Sequence, residues 1–342
     1  MPTINKGSDY FGVLTYTGDG AASKTVVDTN AVSFQPDFVW VKGRSGATDH
    51  ALYDAVRGTT KDLVSNSTAA ETTQSTGLTG FVNGGFTVGN LAKMNTSGAT
   101  YVAWCWKAGN STSSNTSGSI TSTVSVNTTA GFSVVTYTGT GANATVGHGL
   151  GVAPKMVIVK NRTTAGDEWC VWHTSLTNAT YYLYLNGTVA QAVDTTFWNS
   201  TAPSSTVISL GSNGRTNRSS SSMVCYAWAE IAGFSKFTSY TGNGSADGPF
   251  IFCNFRPKFV MIKRTVNAGG SWAIYDTARN TYNVANLSLY PNLSSADDTY
   301  DVLDFTSNGF KIRTSSLGVN QSGDTFIVAA FAESPFKNSN AR

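Results

Sequence analysis

The chain is 342 residues long, 40% apolar and only 13% charged, with a formal net charge of +3. Its Lys and Arg residues are scattered, never more than two in a row, which excludes the clustered basic stripe of a nucleic-acid groove. No run reaches the ~18 apolar residues of a membrane helix, and the opening Met1-Pro2-Thr3-Ile4-Asn5-Lys6-Gly7 lacks the apolar core of a signal peptide. Synthesis in a cytoplasm, with no nucleic-acid partner and no membrane insertion, is the expectation.

A chain this long exceeds the roughly 250–300 residues at which one core stops growing, so several domains are expected. Residues 1–9 read as an N-terminal arm. In residues 10–109, apolar runs at 11–16, 38–42, 51–53, 86–88 and 101–106 are bounded by Gly, Pro and Asn and predict strands. A helical turn is expected around 54–57. The first strand ends in Tyr16-Thr17-Gly18-Asp19-Gly20, a tight turn, because Gly alone takes positive φ without strain. Residues 110–130 are rich in Ser, Thr and Asn and read as an extended linker able to reach across a neighbour.

The same text then returns. Residues 131–233 contain Tyr137-Thr138-Gly139-Thr140-Gly141, and residues 234–342 contain Tyr240-Thr241-Gly242-Asn243-Gly244. Behind each copy a Pro is followed six positions later by Lys: Pro36 and Lys42, Pro154 and Lys160, Pro257 and Lys263. An aromatic phrase follows, His50-Ala51-Leu52-Tyr53-Asp54, Trp169-Cys170-Val171-Trp172-His173 and Trp272-Ala273-Ile274-Tyr275-Asp276. Ordered landmarks at an interval of about 100 residues make three tandem repeats of domain size. The fold expected is all-β, each repeat a β-sandwich of jelly-roll or lectin-like kind. The second and third repeats join abruptly and should pack tightly, with the first left to swing on its linker or to dock elsewhere.

The chemistry-bearing residues are few. Asp54 and Arg57, copied as Asp276 and Arg279, have the i, i+3 spacing of a local ion pair that closes a turn. His50, His148 and His173 accompany no nucleophile motif, and the Gly147-His148-Gly149-Leu150-Gly151 run lacks the helix and Lys of a phosphate loop. Cys105, Cys170, Cys225 and Cys253 come singly inside apolar runs and read as reduced buried thiols rather than zinc ligands. No cofactor is expected. Two positions suggest binding. Trp169 and Trp272 hold equivalent places on strands, where one aromatic of each pair faces outward and can stack on a sugar ring. Asp297, Asp298 and Asp301 form an acidic cluster that can hold a cation such as Ca²⁺.

Two runs are distinctive: Ala229-Glu230-Ile231-Ala232-Gly233-Phe234-Ser235-Lys236-Phe237, and Ser239 through Phe250 behind it. With Phe255-Arg256-Pro257 and the closing Ala332-Glu333-Ser334-Pro335-Phe336, they resemble a domain of unknown function that recurs in proteins of marine tailed bacteriophages, cyanophages among them. The resemblance spans nearly the whole chain. It implies a virion protein and supplies no catalytic residues. The expectation is a structural protein of the virion surface, an appendage (tail fibre, tail-associated knob or capsid-mounted fibre) that contacts the host. A capsid decoration or cement protein is the alternative. A surface-glycan depolymerase would need two facing carboxylates; the chain has only four Glu, two of them at equivalent repeat positions, so no enzyme is expected. The partners expected are other virion proteins, a host surface glycan and the protein itself. A homotrimer, by analogy with phage appendages, would cover the exposed sheet edges.

Overall fold

The computed structural model describes residues 4–334, apart from the side chains of Tyr300 and Asp301. The protein is all-β. One strand order recurs three times, each time entirely antiparallel. An opening strand (Phe11–Thr17, Phe132–Thr138 and Ser235–Thr241) pairs with a closing strand (Thr100–Trp106, Ser222–Trp228 and Thr325–Ala332). The closing strand pairs on its other side with a second strand (Phe38–Gly43, Met156–Asn161 and Pro257–Arg264). The third strand (Ala51–Asp54, Cys170–His173 and Ala273–Asp276) lies beyond it. The Pro of each Pro-to-Lys phrase stands at or shortly before the second strand, where a missing N–H is tolerated.

The turn that follows each opening strand is gripped by a four-residue helix, Ala92–Asn95, Gly214–Asn217 or Leu317–Asn320. The Tyr hydroxyl of the phrase donates to a helix carbonyl: Tyr16 to Met94, Tyr137 to Thr216, Tyr240 to Val319. The last helical residue, Asn95, Asn217 or Asn320, accepts a bond from the turn's central backbone N–H and donates its amide to carbonyls on both sides. The two glycines of the phrase serve different needs. A Cβ on Gly18, Gly139 or Gly242 would stand 2.2, 2.2 or 2.3 Å from a carbonyl oxygen behind the helix, while Gly20, Gly141 and Gly244 take φ near +70°.

Both faces of each sheet are buried, which is why the strands read as continuous apolar runs. Along the first closing strand Tyr101, Ala103 and Cys105 face a local core, while Val102, Trp104 and Trp106 face the opposite way. The second closing strand divides likewise, with Met223, Cys225 and Ala227 on one side and Val224, Tyr226 and Trp228 on the other. The two separate local cores lie under smaller sheets, Lys24–Val27, Gly85–Val88 and Leu78–Val82, and Ala144–Gly147 with Val207–Leu210; the third main sheet packs with Phe250–Phe252, Gly309–Ile312, Asp298–Thr306 and Ala285–Ser288 in a core continuous with the central cluster. The opposite faces of all three main sheets meet in one central cluster. There Phe11 stacks on Phe331 at 5.0 Å, Trp106 meets Trp228 edge-on at 6.1 Å and Phe38 stacks on Tyr226 at 4.3 Å.

Two expectations about the first third of the chain change. Residues 110–130 are not a free linker: Ser113–Asn115 and Ser122–Asn127 extend the second sheet beyond its opening strand. Val124 and Val126, alternating with Thr123 and Ser125, supplied a short strand period that the polar composition of the stretch masked. The first sheet does not swing, because its apolar face is part of the central cluster. Ile4, in the expected arm, is buried there too.

Candidate functional site

The third strand of each sheet ends at a corner, and a neighbouring sheet bonds to it. Tyr226 donates its hydroxyl to the Asp54 carboxylate at 2.7 Å, and Trp104 donates its indole N–H to Asp276 at 3.1 Å. Where the corner residue is His173, donor and acceptor exchange: its Nε2–H donates to the carbonyl of Val328 at 3.2 Å. The direction is cyclic, second sheet on first, first on third, third on second. Arg57 sits wholly buried beside Asp54, and its guanidinium also reaches the carbonyls of Lys61 and Leu52. Burial, the largest single influence, would lower its pKa, but Asp54, Tyr226 and Glu71 together outweigh it and raise it, so the pair is a fixed ionic corner. Arg279 repeats this on Asp276, at 2.7 Å.

A second ring of bonds uses the start of each third strand. Trp169 donates its indole N–H to Val64 O and Trp272 to Tyr184 O, both at 2.9 Å, and His50 Nε2 donates to Tyr290 O at the same distance. Trp169 and Trp272 are 0% and 1% exposed, so both rings are enclosed between sheets and present no face on which a sugar could stack. The repeated Lys makes a third ring. Lys42, Lys160 and Lys263 are buried and donate to Ser294, Thr68 and Thr188 across the joints, and burial lowers each to about 8.

The acidic cluster divides. Asp297 bridges two arginines, Arg44 at 2.8 Å and Arg279 at 2.9 Å, as Glu71 bridges Arg57 and Arg162 at another joint. Asp298 instead accepts a bond from Tyr290 Oη at 2.9 Å and lines a hollow. The Asp301 side chain lies outside the described residues. The two described carboxylates therefore do not converge on one ion, and no group of three or more His, Cys, Asp and Glu among the described residues could hold a metal.

The hollow encloses about 380 Å³ between the third strand Ala273–Asp276, the edge strand Ala285–Ser288 and the helix Leu317–Asn320. Its polar groups include Tyr275, Ser288, Tyr290, Asp298 and Ser316. Tyr275 Oη and Ser288 Oγ lie 3.2 Å apart. Burial raises the Tyr275 phenol to about 12 and pushes Tyr290 up as well, so both remain neutral hydroxyls that can donate. Of these groups only Asp298 was readable beforehand. Tyr275 belongs to the aromatic phrase, but neither its orientation nor the hollow has a sequence signal.

These features define a class: an all-β scaffold whose repeated charged and aromatic residues lock sheets together, with a hydroxyl-lined hollow beside one corner. The chain belongs to the family described as Domain of unknown function (DUF7483), whose model matches residues 6–335. No curated protein and no solved structure matches it.

Proposed function

We propose that this is a structural, non-catalytic protein of the surface of a tailed-bacteriophage particle, an appendage that meets the host. In this reading the chain is three tandem repeats of about 100 residues, each a two-layered β-sandwich. The observation that carries it is the use made of the repeated phrases. The Asp–Arg corners, the aromatics, the buried Lys and the turn glycines all serve joints or turns, as expected of a body selected for rigid shape. Low charge and a Thr, Ser and Asn surface suit packing against other virion proteins and contact with a host surface glycan. The reason for invoking a homotrimer weakens, because three sheets of one chain already cover one another. Self-association then belongs to attachment on the particle.

Gold-labelled antibody on intact particles tests the proposal. Label at the tail or at a unique vertex is the expected outcome. Label over the whole head would replace the appendage with a decoration protein, and no label on any particle would overturn the virion reading.

A further inference from the structure

We propose that the hollow of the third repeat binds a small polyhydroxylated ligand bearing an ammonium group, in chemical terms an amino sugar with a free amine. The three gripping helices differ at their second residue. In the first, Lys93 Nζ lies 2.5 Å from the Asp62 carboxylate. In the second, Arg215 pairs with Glu168. In the third the position is Gly318, and the hollow opens beside it, lined by the Asp298 carboxylate. Among the described residues, the arginines of this corner go to Asp297, and Asp298 keeps only the Tyr290 hydroxyl. The other two repeats thus seat a helix cation on a carboxylate, whereas the third has Gly on the helix and Ser288 at the position of Asp62, and the carboxylate beside its hollow is Asp298, from the next strand, with no cation on it among the described residues.

The glycine is not demanded by the backbone. Gly318 lacks positive φ, and a Cβ there would meet only Ser316 Oγ at 3.8 Å, an ordinary contact. The space is therefore a feature of side-chain choice. At about 380 Å³ it falls at the lower end of small-molecule sites, which run roughly 300–1,000 Å³. The hydroxyls of Tyr275, Ser288 and Ser316 can exchange bonds with ligand hydroxyls, as the neutral donor–acceptor character of Tyr and Ser allows. Leu293, 40% exposed among the lining residues, offers apolar surface to the C–H face of a sugar ring. The assignment rests on the pocket alone, so it stands or falls separately from where the protein sits on a particle.

The test is calorimetric titration of the full-length protein with glucosamine, glucose and N-acetylglucosamine at slightly acidic pH, where the free amine is charged. Glucosamine is expected to bind at least about tenfold more tightly than the other two, the scale of one charge-assisted bond. Asp298→Asn, which keeps an acceptor for Tyr290, should remove that preference. Gly318→Lys, which writes the first repeat's cation into the third, should abolish binding with the Tm unchanged or raised. Equal binding of glucose would overturn the cationic part. No glucosamine binding at millimolar concentration, or undiminished binding by a folded Gly318→Lys protein, would overturn the site. Should Gly318→Lys fail to fold, Asp298→Asn decides.

Discussion

A histidine ring fixed between two hydrogen bonds has only one protonation state that fits. His50 Nδ1 accepts from Trp40 Nε1 at 2.8 Å while Nε2–H donates to Tyr290 O; His173 Nδ1 accepts from Ser175 N at 3.1 Å while Nε2–H donates to Val328 O. A second proton would set N–H against N–H. Burial lowers His50 to about 3, helped by the charge of Lys42, and lowers His173 to about 4, against 6.5 for a free ring. The unfolded chain therefore takes up these protons as pH falls through 6.5 while the folded chain does not, so stability declines from about 6.5 downward until the folded rings also titrate. Thermal unfolding followed from pH 7 to 5 should show a falling Tm, and His173→Asn should flatten the slope. Trp272→Ala tests the other ring of joints. Loss of an enclosed indole should cost about 3–5 kcal/mol in denaturant unfolding; a change near zero would mean that the ring is not enclosed. Tyr226→Phe removes only the hydroxyl on Asp54 and should cost about 1–3 kcal/mol by the same measurement.

At the scale of elements, the gripped turn is the unit most legible in the sequence and yet only half readable. Its Tyr and two glycines repeat in identical spacing, because a close approach and a positive φ each admit little but Gly. The partner Asn does not announce itself: Asn95, Asn217 and Asn320 stand among Met, Thr and Val, and the helix that carries them is a single turn with no period to detect. Gly139→Ala would bring a methyl to 2.2 Å from Arg218 O, and Asn217→Ala would strand the carbonyls of Ala142 and Gly211. Each should destabilise by about 2 kcal/mol or more, seen as earlier local hydrogen exchange in the turn at 139–141. The edge strands within 110–130 were hidden for a different reason. Ser and Thr composition speaks for loop, and it is the pairing of Ser122–Asn127 with Phe132–Thr138, and of Ser113–Asn115 with Ser122–Asn127, that decides otherwise.

For the whole molecule, the strands and the recurring phrases were readable because local patterns write them. The order in which sheets meet was not, because its contacts join residues far apart in the chain, such as Trp104 with Asp276. The division of labour between the two sheet faces was equally silent, since both are apolar. The shared cluster makes a prediction: residues 131–233 expressed alone would expose the face carrying Trp228, Tyr226 and Phe132. Such a fragment should aggregate or stay without fixed tertiary structure, while the full chain unfolds in one cooperative step by circular dichroism. A well-dispersed NMR spectrum from the fragment would show that the central cluster is dispensable.

The closed ring of joints also has a consequence for how this molecule can diversify. Three identical subunits around an axis must write every corner three times, so any change in one appears in all. Here the corners lie in one covalent chain. One corner can carry His where the other two carry Asp, as at His173, and one helix can carry Gly where the other two carry Lys and Arg, as at Gly318. A single covalent chain thus permits one-sided features on a body whose three main sheets still close on one another in a ring.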